Sequence, residues 1–172
     1  MKIISGGQSG VDRAALDAAI AHGIPYGGWC PRGGWAEDFP DPPGLLAKYP
    51  QLRETPLANP AQRTEWNVRD SDATLILVER AGLAVSKGTG LAADAAARYR
   101  KPLAMIDLDA ADAAARAIAW LDLQFARSGE GLQFGIGGPR ESEAPGIYER
   151  ARALLDTLFA RAPFASITAT DR

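Results

Sequence analysis

Residues 2–17 read KIISGGQSGVDRAALD, and the fold is decided there. Ile3 and Ile4 are β-branched and suit a short buried strand. Gly6, Gly7 and Gly10 follow, residues that let a backbone turn tightly and approach a ligand with no Cβ in the way. From Val11 onward the apolar positions fall at Val11, Ala14, Ala15, Ala18 and Ala19, the spacing of a helix face. A strand that passes through glycines into a helix aims free backbone N–H groups, and the positive end of the helix dipole, at one spot. That spot favours an anion, most often a phosphate, and Arg13 in the first turn offers a bidentate charged contact. The stretch matches neither G-x-G-x-x-G nor the Walker pattern, so alone it reads equally as a tight connection or a ligand site.

Two later stretches repeat the arrangement. Ala73 to Val78, ATLILV, is an apolar run too short for a helix and reads as a central strand buried on both faces. It leads to Ser86-Lys87-Gly88-Thr89-Gly90 and an alanine-rich helix over Leu91 to Arg100. Leu132 to Ile136 reads as the last strand, and it runs into Gly137-Gly138-Pro139-Arg140-Glu141-Ser142 ahead of a helix from Pro145. Each strand end brings a cation: Arg13, Lys87 and Arg140. Three such ends, taken together, point to a shared phosphate-type site.

The remaining segments fill in an alternation of strands and helices. Ile24 to Trp29, Leu52 to Thr55 and Leu103 to Ile106 suit strands, and Asn59-Pro60 is a cap followed by proline at the first helical position. The helix that follows puts Arg63, Trp66 and Asn67 on one face, which reads as a pocket wall or as an ordinary ion-paired surface. Asp109 is placed to cap a helix over Ala110 to Arg127. Phe39 to Pro50 is proline-rich and reads as an exposed excursion. The alternation predicts an α/β, Rossmann-like, doubly wound and mostly parallel sheet with helices on both faces. Residues 1–162 form one ligand-binding domain, and residues 163–172 a tail without strong pattern. Ligands of such sheets sit beyond the carboxyl ends of the strands, where all three glycine turns lie.

Gly27 to Asp38, GGWCPRGGWAED, has the composition of a binding loop or of a loop pinned by aromatic packing. Arg32 is a candidate anion contact there. Trp29 and Trp35 suit either stacking on a flat ligand or anchoring, Trp29 more the latter. Glu37-Asp38 suits a solvated pair or the grip on a hydroxyl or a metal-bound water. Cys30, the single cysteine, reads as a small buried filler, and His22, the single histidine, as a helix-end residue facing solvent. With a net charge of −2, bulk attraction to nucleic acid or to an anionic membrane is not indicated. No apolar run is long enough to span a bilayer, and no basic, apolar leader opens the chain, so a soluble cytoplasmic protein is expected. Lacking C-x-x-C or clustered histidines, the chain is not expected to hold its own metal.

The segments GGQSGVDRAALDAAIAHGI, GGWCPRGGWAED, YPQLRET, RTEWNVRDSDATLIL, KGTG and GGPRESEAPGIYERA, in this order over Lys2 to about Phe159, resemble the molybdenum cofactor carrier proteins. Those belong to a wider Rossmann-like group that includes the lysine decarboxylase-like, cytokinin-activating phosphoribohydrolases. The resemblance implies a nucleotide-binding fold, a homo-oligomer (dimer or tetramer), and a cargo of molybdenum cofactor, whose molybdopterin carries a dithiolene and a phosphate. Molybdoenzymes are the partners that it implies. On this reading Gly6, Gly7, Gln8, Ser9, Gly10, Gly88, Thr89 and Gly138 form the cradle. Arg13, Arg32, Lys87 and Arg140 neutralise the anion, and Asp12 and Glu37 accept pterin N–H groups. The phosphoribohydrolase motif Pro-Gly-Gly-x-Gly-Thr-x-x-Glu is altered here, with Ala92 where its glutamate falls, and of the two glycines that carrier-like members often have before the threonine Lys87 replaces the first. Without that carboxylate a ribosyl transition state lacks its stabiliser, which favours a non-catalytic carrier. The competing readings are a nucleotide N-glycosidase or phosphohydrolase working on a nucleotide phosphate with Mg²⁺, and a nucleotide-sensing module.

Overall fold

A computed structural model of the chain describes residues 1–79 and 87–161. Ser86 and the tail from residue 163 lie outside the described residues. Six strands form one sheet in the order β3-β2-β1-β6-β4-β5. They are β1 (Lys2–Ile4), β2 (Tyr26–Cys30), β3 (Leu52–Glu54), β4 (Ala73–Val78), β5 (Leu103–Asp107) and β6 (Gln133–Gly137). Every pairing between them is parallel. The chain builds outward from β1 to β3, crosses to β4 and β5, and returns to lay β6 between β1 and β4. All carboxyl ends therefore face one rim, and the strand order reverses at β1, β6 and β4.

Period-two alternation assigns the helices to faces. Ile3, Leu75, Leu77, Phe134 and Ile136 point to one side, where they pack with α1 (Val11–Ala21), α5 (Ala113–Ser128) and α6 (Ile147–Phe159). Ile76 and Val78 point to the other, against α3 (Pro60–Arg69) and α4 (Lys87–Tyr99). The small face of α1, Ala14, Ala15, Ala18 and Ala19, is wholly buried and lets the helix lie close to α6. As expected, all six residues of β4 are buried.

Four local expectations are corrected. α4 begins at Lys87 rather than Leu91, so Gly88, Thr89 and Gly90 form its first turn instead of a preceding loop. Two glycines in a first turn obscure a helix start, because glycine is a poor helix former everywhere else. α5 begins after Asp112, and Asp109 pairs at 2.6 Å with Arg150 instead of capping it. The proline-rich stretch is only partly exposed: it holds the short α2 (Leu45–Lys48), with Leu45 and Tyr49 fully buried beside Leu16, Cys30 and Leu52. His22 likewise does not simply face solvent, since its Nε2 lies 3.1 Å from Asp156 and its ring meets Phe159 edge-on.

Candidate functional site

The β1–α1 turn is held from both sides. The Ser5 hydroxyl donates to the Ile136 carbonyl at 2.8 Å, which joins the ends of β1 and β6. Gly10 has a positive φ of 77°, and any Cβ there would collide with the Pro139 carbonyl. Only glycine lets the start of α1 sit against the β6–α6 turn. The anion-favouring end of α1 is then occupied by the chain itself. Asp12, in the first helical turn and 3% exposed, accepts from the backbone N–H groups of Gln8 and Gly138. Its Oδ2 also pairs with Arg63 Nη1 from α3 at 2.6 Å. Burial pushes the Asp12 carboxyl above the usual carboxylate range, against the pull of Arg63 and the two amides. A side chain on Gly6 would strike the Arg63 guanidinium, so this glycine is what lets α3 deliver its cation.

Behind the ion pair lies a cavity of about 50 Å³ between the sheet and helices α3 and α4. Its floor is β6, where Gly137 sits on the face turned towards α3, while Gly135 is covered by Ser71 and Thr74, whose hydroxyl oxygens lie 2.6 and 2.9 Å from where its Cβ would be. Thr64, Asn67 and Val68 roof it, and Gly88, Thr89 and Ala92 close it from α4. Thr74, 4% exposed, also lines it, and its buried hydroxyl has no hydrogen-bond partner among the described residues.

All three glycine-rich strand ends reach this cavity: Gly6, Asp12, Gly88, Thr89 and Gly138 line it. The cations proposed with them do not. Arg13 turns to the opposite side of α1, where it is 7% exposed and grips Asp38 through two bonds of 2.8 and 2.9 Å. Its Nε donates to the Gly7 carbonyl, and its guanidinium lies 4.9 Å from the Phe39 ring centre. Arg140 lies over Trp35, 5.7 Å from the ring centre. Lys87 is exposed at the first residue of α4. Among the described residues lining the cavity the cation is Arg63, whose helix face the sequence offers only as one of two readings.

The remaining candidates fasten the loop after β2. The Gln8 side-chain carbonyl accepts from the backbone N–H groups of Ser9 and Glu37, both at 3.0 Å. Glu37 in turn accepts from the hydroxyls of Ser9 and Ser142, so this carboxylate does hold hydroxyls, though the chain's own. Burial opposes its charge, but the bonds from Ser142 and Ser9 prevail and hold its carboxyl below the usual range. Arg32 lines a separate open groove with Trp35 and Pro60. Trp29 is an anchor: its indole donates to Asp70 at 2.7 Å and its ring meets Trp66 edge-on. Cys30 is fully buried, and burial pushes its thiol up to about 11, which leaves it inert at neutral pH. Among the described residues no group of three or more His, Cys, Asp or Glu could hold a metal ion. No helix of the described residues is long and apolar enough to cross a membrane.

Sequence reading missed Thr74 and the paired glycines of β6. The signal for the glycines was present, since glycine at alternate positions of QFGIG strips one face of a strand.

Comparison with known proteins places this geometry in context. Residues 3–159 match the model of the "Circularly permutated YpsA SLOG family". The chain is 40% identical to a protein from Syntrophus aciditrophicus whose crystal structure is described as that of a candidate molybdenum carrier. The likeness covers 91% of this chain and 93% of that one, with a TM-score of 0.77. No curated protein matches.

Proposed function

The chain belongs to the circularly permutated YpsA SLOG family, and from that footing we propose that it carries or stores molybdenum cofactor or a related phosphorylated pterin. The observation that supports this is the meeting of three glycine-rich strand ends at one cavity with Arg63 and Asp12 at its rim. Because Asp12 already uses the amides of Gln8 and Gly138, the cargo's oxyanion belongs to Arg63 and to the first turn of α4. Lys87, Gly88 and Thr89 there combine charge with the positive end of a helix. Asp12 is an acceptor for ring N–H groups.

A binding role without chemistry is supported at the position of the phosphoribohydrolase glutamate. Ala92 lines the cavity and brings no carboxylate to it, while Asp94 is exposed. One observation favours the enzyme reading, in which Asp12, buried with a raised pKa beside a cavity, acts as an acid on a nucleotide phosphate. A cytoplasmic location, a homo-oligomeric state and delivery to molybdoenzymes complete the proposal.

Mass spectrometry of small molecules released from the purified protein, with metal analysis alongside, tests it. A phosphorylated pterin with molybdenum is the expected recovery. Recovery of neither from cells that make both overturns the carrier reading, and ribose or phosphate release from nucleoside monophosphates at an ordinary turnover rate replaces it with the enzyme.

A further inference from the structure

Arg63 is a cation that the chain has already neutralised. It meets Asp12 at 2.6 Å, and both side chains stay partly open in the cavity wall, at 13% and 5% exposure. An oxyanion that reaches Arg63 therefore meets a carboxylate on the same guanidinium. In so enclosed a space, water and salt screen little of their repulsion. A site built on charge alone would keep Asp12 away from its cation.

What Asp12 adds is an acceptor. A carboxylate has roughly four acceptor positions, and Arg63 with the amides of Gln8 and Gly138 takes three of them. The remaining position has room in front of it. Among the described residues, chain neighbours apart, a Cβ on Gly137 would have two atoms within 4 Å: Asp12 Oδ1 at 3.2 Å and Ile76 Cδ1 at 3.7 Å. Gly137 lines the cavity, so Oδ1 borders the same open space as Arg63. Only a hydrogen can fill the free position. Burial, which raises the Asp12 pKa, tightens the hold on that hydrogen.

We propose that Asp12 determines specificity by admitting only ligands that bring a hydrogen to it: a hydrogen-bearing oxyanion of the phosphate class is held with its charged oxygens on Arg63 and its O–H donated to Asp12. A fully ionised oxyanion of the same shape, such as sulfate, is refused. The shared hydrogen turns the repulsion between carboxylate and oxyanion into a charge-assisted bond. The inference rests on the carrier reading above and deepens it by naming the form in which the cargo's phosphate is taken, the monoester monoanion. A ring N–H at the rim meets the same demand, so one rule covers both donors that the cargo can offer.

Inorganic phosphate and sulfate serve as probes, since both are tetrahedral but at neutral pH only phosphate carries a hydrogen. They are titrated calorimetrically, at matched ionic strength, into protein purified from cells that make no molybdenum cofactor. The parent is expected to bind phosphate roughly tenfold or more tighter than sulfate, the scale of an uncompensated like-charge contact. Asp12→Asn removes the charge at nearly constant shape and supplies an N–H, so it should bind sulfate roughly tenfold tighter than the parent does and hold the two probes within about threefold of each other. Arg63→Gln should weaken phosphate roughly tenfold, which places the probe in this cavity. A parent that shows no preference, or that binds neither anion, overturns the inference whatever the variants do. An Asp12→Asn protein that keeps the preference overturns it too, as does phosphate binding untouched by Arg63→Gln. The parent's preference needs no variant, so the inference can fail even where a variant does not fold. In each of those failures a phosphorylated pterin recovered from protein made in cofactor-producing cells still leaves the carrier reading standing.

Discussion

Arg13 and Arg63 show how little a cation's sequence neighbourhood says about its use. Both lie near glycine turns, yet Arg13 follows Asp12 by one residue and so leaves α1 about 100° further round. Asp12 faces the cavity and Arg13 faces Asp38, so Arg13 holds two segments together. Arg13→Ala is accordingly expected to cost about 2 kcal/mol, moderated by the exposure of Asp38, and to lower Tm by roughly 4–8 °C in thermal unfolding. Asp12 gives the opposite pH signature to an ordinary paired carboxylate. Its folded pKa lies above the unfolded value of 3.8, so the folded form binds the proton more tightly. Its contribution to stability is full below that value and declines as the pH rises towards the folded one. In denaturant titrations across this window the parent should lose stability relative to Asp12→Asn. A gap that widens in the parent's favour would contradict the assignment.

At the scale of elements, the loop after β2 is fastened by one carboxylate that joins the β1–α1 turn and the β6–α6 turn through Ser9 and Ser142. Here the sign is the usual one. Glu37 has a folded pKa below its unfolded value, so it stabilises above the unfolded value and ceases to do so as the pH falls through the folded one. Glu37→Gln should therefore cost about 1 kcal/mol at neutral pH, kept small by solvent, and the cost should vanish in acid. Most elements were legible from periodicity, as ATLILV and the alanine face of α1 show. The start of α4 and the whole of α2 were not. Glycines in a first turn and prolines around a single helical turn hide the period, and burial of Leu45 and Tyr49 outweighs local preference. The site was legible in its glycines, which declare close approach by composition alone. It was illegible in its charges, because helix rotation and the partner on another element decide where a charge points. Thr74 was out of reach altogether, since a missing partner is a property of the assembled surroundings and leaves no mark in the chain.

For the molecule as a whole, the strand order ties the site to the last third of the chain. β6 pairs with β1 through Ile3 and Phe134 and with β4 through Ala73 and Phe134. A fragment of residues 1–131 thus retains two inner strands with nothing between them, each presenting unpaired N–H and C=O groups. Such a fragment is expected to aggregate, with no cooperative unfolding transition by calorimetry, and a soluble, cooperatively melting fragment would show that β6 is dispensable. The same placement governs events on the ribosome. A growing polypeptide holds β1 and β4 without the strand that joins them until synthesis has passed Gly137, so the rim where the three glycine-rich turns meet exists only once β6 has emerged.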